Sequence, residues 1–150
     1  EENINKPLTR ERIITLFEWK NGSRLSAKKL ASVESNYIES SYPLPREDDA
    51  AEIADFLIQP GGVVWRVFWL HCNQPDAFPI YDQHVHRAMA HLQGRGELEI
   101  PSNYKARAKL YADDYRTFFS QFVASEHRAI DRALWAYGKF VKDYPKILVI

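Results

Sequence analysis

The residues able to do chemistry concentrate between Gln59 and Met89, where the chain reads QPGGVVWRVFWLHCNQPDAFPIYDQHVHRAM. Asp82 is delivered from the loop Pro79-Ile80-Tyr81 and precedes a helical pattern. A carboxylate so placed can cap the helix by accepting backbone N–H groups. Beside a pocket it can instead activate a nucleophile or stabilise developing positive charge. Sequence alone permits both. His84 and His86 follow, with His71 and Cys72 upstream. Residues two apart on a helix point about 200° from each other, so these two histidines do not share an ion. Asp82 and His86 can face each other, but two ligands make a weak zinc site. No metal site is expected, and Cys72, ending an apolar run, reads as a core thiol.

The turn Pro60-Gly61-Gly62 lets backbone N–H groups approach a phosphate, and the helix starting at Val63 adds a favourable dipole. A plain connection between helices would use the same residues. A second cluster is Phe17-Glu18-Trp19-Lys20-Asn21-Gly22. Here Trp19 could stack on a base, Lys20 contact phosphate and Asn21 bond a base edge. The bland alternative is a helix C-cap whose tryptophan covers the core.

These residues need helices to position them, and the periodicity is helical nearly throughout. Thr9 and Ser26 are expected caps, the first for a helix through Ile13, Ile14, Phe17 and Trp19 that stops at Asn21-Gly22. The second helix carries Leu30, Val33 and Tyr37. Pro43 and Pro45 break the chain before an acidic helix from Asp48 or Asp49 through Ile53, Phe56 and Leu57. Val63–His71 reads as a buried central helix, apolar except for Arg66. Asp82–Gln93 is a further helix. Two long amphipathic helices are expected in the last third, about Ser102–Val123 with Tyr104, Leu110, Tyr111, Phe118 and Phe122 inward, then from after Ser125 to Asp143 with Ile130, Leu134, Tyr137 and Phe140. Pro145 should end it, and the tail Ile147–Ile150 should pack back on the core. The expected fold is all-α, one helical domain over residues 1–150, without strands or repeats.

The chain has 150 residues, 45% hydrophobic and 27% charged, which suits a folded domain and not a disordered one. One cysteine excludes an internal disulfide and an iron–sulfur cluster, and suits a reducing compartment. No segment offers the roughly 20 apolar residues of a membrane helix. Glu1-Glu2-Asn3 looks like neither a signal nor a transit peptide, so a cytoplasmic protein is expected. The 20 basic and 20 acidic side chains cancel, yet residues 6–29 carry +5 and residues 34–55 carry −6. Segregated charge can still present a positive face to a polyanion.

Tyr81-Asp82-Gln83-His84-Val85-His86-Arg87 resembles a segment of the helix-hairpin-helix DNA glycosylases, whose pattern is hydrophobic-Asp-Thr-His-hydrophobic-x-Arg. Asp82, His84, Val85 and Arg87 fit it, and Gln83 stands where threonine is usual. In that superfamily a hairpin of the form Leu-Pro-Gly-hydrophobic-Gly lies upstream of the aspartate at a spacing similar to that of Pro60-Gly61-Gly62. The resemblance implies that Asp82 is the catalytic carboxylate and that Gly61, Gly62 and Val63 bind the DNA backbone. Arg66 and Arg87 are then expected on phosphates or the carboxylate, and Lys20 on a phosphate. Trp19, Asn21, Tyr81 and His86 are expected around the flipped base. Bifunctional members place a Schiff-base lysine after the hairpin, whereas no lysine occurs here between Lys29 and Lys105. A monofunctional glycosylase without cofactor is therefore implied, a monomer acting on double-stranded DNA. Its compactness is similar to that of a bacterial oxoguanine-glycosylase-like branch associated in part with defence against phages. The implied substrate is a modified base such as modified cytosine in phage DNA, or a damaged base. The rival reading is a non-catalytic helical DNA-binding or protein-interaction domain.

Overall fold

Most helices begin where the sequence supplies an acceptor for their unpaired N–H groups. In the computed structural model, which describes residues 7–40 and 42–144, Thr9 caps α1 (Arg10–Asn21) and Ser26 caps α2 (Ala27–Val33). Asp49 caps α3 (Ala50–Leu57), Asp82 caps α5 (Gln83–Leu92) and Asn103 caps α6 (Tyr104–Lys109). The exception between them is α4 (Val63–Asn73), which follows Gly62 with no side-chain cap. The chain closes with α7 (Arg116–Phe119) and α8 (His127–Asp143). The fold is all-α, and no strand occurs among the described residues.

Two expected helices differ in detail. α2 continues through a π-helical turn, Glu34–Ile38, which carries Tyr37 into the core. The helix expected over Ser102–Val123 is α6, a π-helical turn over Leu110–Tyr115 and α7, and it stops at Phe119. Tyr104 and Phe140, expected inside, are exposed, and so is Trp19. The expected stop at Pro145 and the packing of Ile147–Ile150 fall outside the described residues.

Two apolar clusters build the interior. One gathers Ile53, Leu57, Val67, Leu70, Met89, Tyr111, Tyr115 and Leu134 from α3 to α8. The other joins Ile13, Leu16, Phe17, Val33 and Tyr37 of α1 and α2 to Phe68 and Cys72. α4 serves both, with Val67 and Leu70 in one cluster and Phe68 and Cys72 in the other. That double duty explains an apolar sequence on all its faces.

Three contacts bring the site together. α8 lies along α5, and at Gly138 a Cβ would stand 1.7 Å from the carbonyl oxygen of His84. Only glycine permits that approach. A 2.9 Å hydrogen bond between Tyr137 Oη and His91 Nδ1 joins the same pair of helices. Tyr111 Oη donates to the Pro79 carbonyl at 3.0 Å and fixes the loop that leads to Asp82.

Candidate functional site

Asp82 uses its two oxygens differently. Oδ1 accepts the N–H groups of His84 and Val85 at 2.8 and 3.1 Å, which locks the side chain to the start of α5. Oδ2 stands 3.8 Å from Nζ of Lys20, at the last turn of α1. Gly22 terminates α1 in the left-handed region at φ 75°, so the helix ends where Lys20 reaches Asp82. Burial pulls the Lys20 ammonium below its ordinary pKa, although Asp82 acts in the opposite direction. Its Nζ also lies 5.9 Å from the Phe68 ring centroid.

The pair opens on a cavity of about 550 Å³, within the range of ligand pockets. Ile80 and Val85 give it an apolar lining, and Trp19, Trp135 and Arg132 contribute from α1 and α8. Both tryptophans are partly open to solvent, Trp19 at 62% and Trp135 at 42%. Each is braced from behind, Trp19 by stacking on Phe68 at 6.1 Å and Trp135 by the His84 ring at 5.2 Å. The remaining polar group is Asp131 of α8. Burial raises its carboxyl to a pKa of about 7, against the lowering effects of the Ile80 N–H bond and Arg128, and Asp82 adds to the rise. Its Oδ1 is buried without a hydrogen-bond partner. Sequence reading missed Asp131; its signal was an acid four residues before Trp135, hence on one helix face.

Of the residues expected at the site, Trp19, Lys20 and Asp82 meet at this cavity, and the others do not line it. Arg66 is 1% exposed and cannot meet a phosphate. Its Nε donates to the carbonyls of Gln59 and Pro60 at 3.1 and 2.8 Å, and its guanidinium lies over Tyr37, Tyr42 and Phe56. Arg66 closes the turn from inside. Arg87 is buried too and pairs with Glu99 at 2.9 Å, neither with Asp82 nor toward a phosphate. Tyr81 is buried beside Tyr111 and Tyr115, with its hydroxyl 2.9 Å from His86 Nδ1. His86 borders a separate cavity of about 290 Å³ with Arg95 and Glu97, and burial lowers its pKa. Asn21 closes the α1–α2 loop, donating to Ser23 and accepting from Lys29.

Gly61 and Gly62 adopt φ 114° and 87°, the region that favours glycine. Tyr37 Oη donates to the Gly61 carbonyl at 3.0 Å, and a Cβ on Gly61 would fall 2.5 Å from the tyrosine hydroxyl. Val63 is buried, and the turn leaves the start of α4 uncapped by any side chain. His71 bonds the Phe78 carbonyl through Nδ1, and burial takes its pKa down to about 4. Burial pushes the Cys72 thiol up to about 12, so this cysteine is an inert part of the core. Three exposed cations, Arg24, Lys28 and Lys29, follow the loop after Trp19 and Lys20.

No protein-family model, curated protein or solved structure matches this chain. The chemistry of the cavity must carry its functional reading.

Proposed function

We propose that this protein is a DNA N-glycosylase that takes a modified base out of the duplex and releases it to leave an abasic site. One observation carries the reading: Asp82, held by its own helix on one oxygen, faces Lys20 with the other at a cavity flanked by two exposed tryptophans. Flipping a base costs a few kcal/mol, and stacking on aromatic rings returns about 1–3 kcal/mol per base. Trp19 and Trp135 are the rings for that purpose.

In the reaction the glycosidic C1′–N bond breaks and its electron pair leaves with the base. The sugar gains positive character, which the Asp82 carboxylate stabilises at close range. Lys20 supplies what the sequence spacing lacked, an amine beside the carboxylate. Burial lowers the ammonium's pKa and so eases loss of one proton; the freed Nζ then attacks C1′ and passes its remaining extra proton to Asp82. Ring opening gives an imine, and water then releases the abasic sugar. The Gly61-Gly62 turn with the uncapped start of α4, together with Arg24, Lys28 and Lys29, grips the phosphates. Modified cytosine in phage DNA and a damaged base both suit this scheme.

The test is base release from genomic DNAs carrying different modifications, with and without borohydride to reduce an imine. Wild type releases one class of base and is trapped on the DNA. Lys20→Gln is not trapped, and Asp82→Asn slows release by at least about 100-fold, the scale of losing one charge-stabilising group. Release at wild-type rate in Asp82→Asn would sink the proposal.

A further inference from the structure

The last helix carries a pattern that the cavity alone does not absorb. Arg128, Arg132, Trp135, Lys139 and Lys142 of α8 recur at alternating steps of four and three residues, and all of these side chains are exposed. At 3.6 residues per turn such steps keep them within an arc of about 80° on one face of the helix. Asp131 and Asp143 stand about 60° to either side of its centre, outside the arc, so no acid interrupts it. The stripe is about 21 Å long at 1.5 Å per residue. Its middle reaches the cavity, where Arg132 and Trp135 are part of the lining. Lys139 Nζ lies 5.5 Å from the Trp135 ring centroid, and neither Lys139 nor Lys142 enters an ion pair among the described residues.

A solvated helix face does not call for this order. Stabilising faces set opposite charges three or four residues apart, whereas like charges at those spacings weaken a helix. Here Arg128 precedes Arg132 by four residues and Lys139 precedes Lys142 by three. A polyanion laid along the stripe relieves both repulsions.

We propose that this face of α8 is the track for the DNA strand that carries the flipped nucleotide, an inference that rests on the glycosylase reading. Each strand of a duplex carries one charge per 3.4 Å or so, and the stripe therefore spans about six nucleotides. Cations interleaved with an aromatic ring suit one strand, the cations following the backbone while the ring takes a base. At the middle the nucleotide leaves the helix and its base passes Trp135 into the cavity. Arg128 and Arg132 meet phosphates on one side of it, and Lys139 and Lys142 meet those on the other. The two flanks of the flipped nucleotide are thus held by different ends of α8.

The test is fluorescence anisotropy across a salt series, with a labelled duplex containing one unpaired nucleotide, which flips at low cost. Lys139→Gln with Lys142→Gln should lower the slope of log affinity against log salt by about 2. Over a fourfold rise in salt wild type should then lose about tenfold more affinity than the variant. Lys142→Gln alone, which leaves Trp135 its cation, should lower the slope by about 1. Lys105→Gln with Lys109→Gln removes the same charge from exposed positions of α6 that do not line the cavity, and should leave the slope as it was. Two further duplexes place the unpaired nucleotide close to one end or the other. The α8 double variant should bind like wild type when the flank held by Lys139 and Lys142 is missing, and remain weaker when the opposite flank is missing. Equal falls for the α6 and α8 pairs, or an α8 effect indifferent to the missing flank, overturns the track while DNA binding and base release stay in place. Base release from none of the modified DNAs, with the α8 effect intact, overturns the glycosylase reading and keeps α8 as a nucleic-acid surface. Failure of wild type to bind any duplex overturns both.

Discussion

At the residue scale, the site depends on side chains with one satisfied and one unsatisfied end. Asp82 spends Oδ1 on capping α5 and keeps Oδ2 for Lys20, so the capping and functional readings are compatible in a single carboxylate. Asp131 is the more costly arrangement, and its cost has a sign. Its folded pKa of about 7 exceeds the ordinary 3.8, so between those values the folded protein binds more protons than the unfolded chain. Stability from this group therefore falls as pH rises through that window, and the loss is complete above about pH 7. Asp131→Asn removes the titration. Urea unfolding at about pH 4 and about pH 8 should show wild type losing about 2 kcal/mol more than the variant, a figure discounted for partial exposure. An identical loss in both proteins would mean that the carboxyl is not buried as a destabilised acid. Lys20 was expected at the DNA, but its pairing with Asp82 and the place of Asp131 beside them were not legible, because tertiary packing alone brings α1 and α8 to the start of α5. Arg66 and Arg87 misled for the same reason: an arginine in an apolar run signals a buried partner or an exposed anion equally. Here Tyr37, Phe56 and the turn carbonyls claim one, and Glu99 the other.

At the scale of elements, the helices that begin with Thr9, Ser26, Asp49 and Asp82 were legible because capping chemistry is local. The π-helical turns at Glu34–Ile38 and Leu110–Tyr115 were not, since no residue type marks a wider hydrogen-bonding register. They nevertheless matter, for one carries Tyr37 under the glycine turn and the other carries Tyr111 to the Pro79 carbonyl. The contact of α5 with α8 decides the cavity's geometry, because Asp82 and Val85 belong to one side and Asp131 and Trp135 to the other. Gly138 sets their distance. In a helix facing solvent, Gly→Ala stabilises by up to about 1 kcal/mol. At Gly138 the new Cβ would strike the His84 backbone, so Gly138→Ala should instead destabilise by about 2–3 kcal/mol, the scale of overpacking. Thermal or urea unfolding reads the sign directly. A stabilised variant would mean that α8 stands further from α5 than the structure has it.

For the whole molecule, the zero net charge conceals a division between surfaces. Part of the basic segment is already committed: Arg10 pairs with Glu34 and Lys20 with Asp82. Exposed Arg24 and Lys28, with Lys29 that also donates to Asn21, stand beside the end of α1 that carries Trp19 to the cavity, and Arg132 of α8 lines the cavity itself. Acidic residues collect elsewhere, with Glu47, Asp48 and Asp76 around a different cavity, while Arg46 neutralises Asp49 and Glu52. A polyanion approaching the tryptophan side therefore meets cations, and its affinity there is governed by counterion release. Each phosphate neutralised contributes about 0.9 to the slope of log affinity against log salt. Replacing Arg24, Lys28 and Lys29 together by glutamine should lower that slope by about 2–3, with a matching loss of affinity at low salt and little change at high salt. Fluorescence anisotropy with a labelled duplex across a salt series measures both. All three side chains are exposed, and because Lys29 also donates to Asn21 in the α1–α2 loop, the Arg24→Gln, Lys28→Gln double variant is measured alongside, with an expected fall in slope of about 2. An unchanged slope would put the DNA on another face and separate Trp19 from the strand it is proposed to meet.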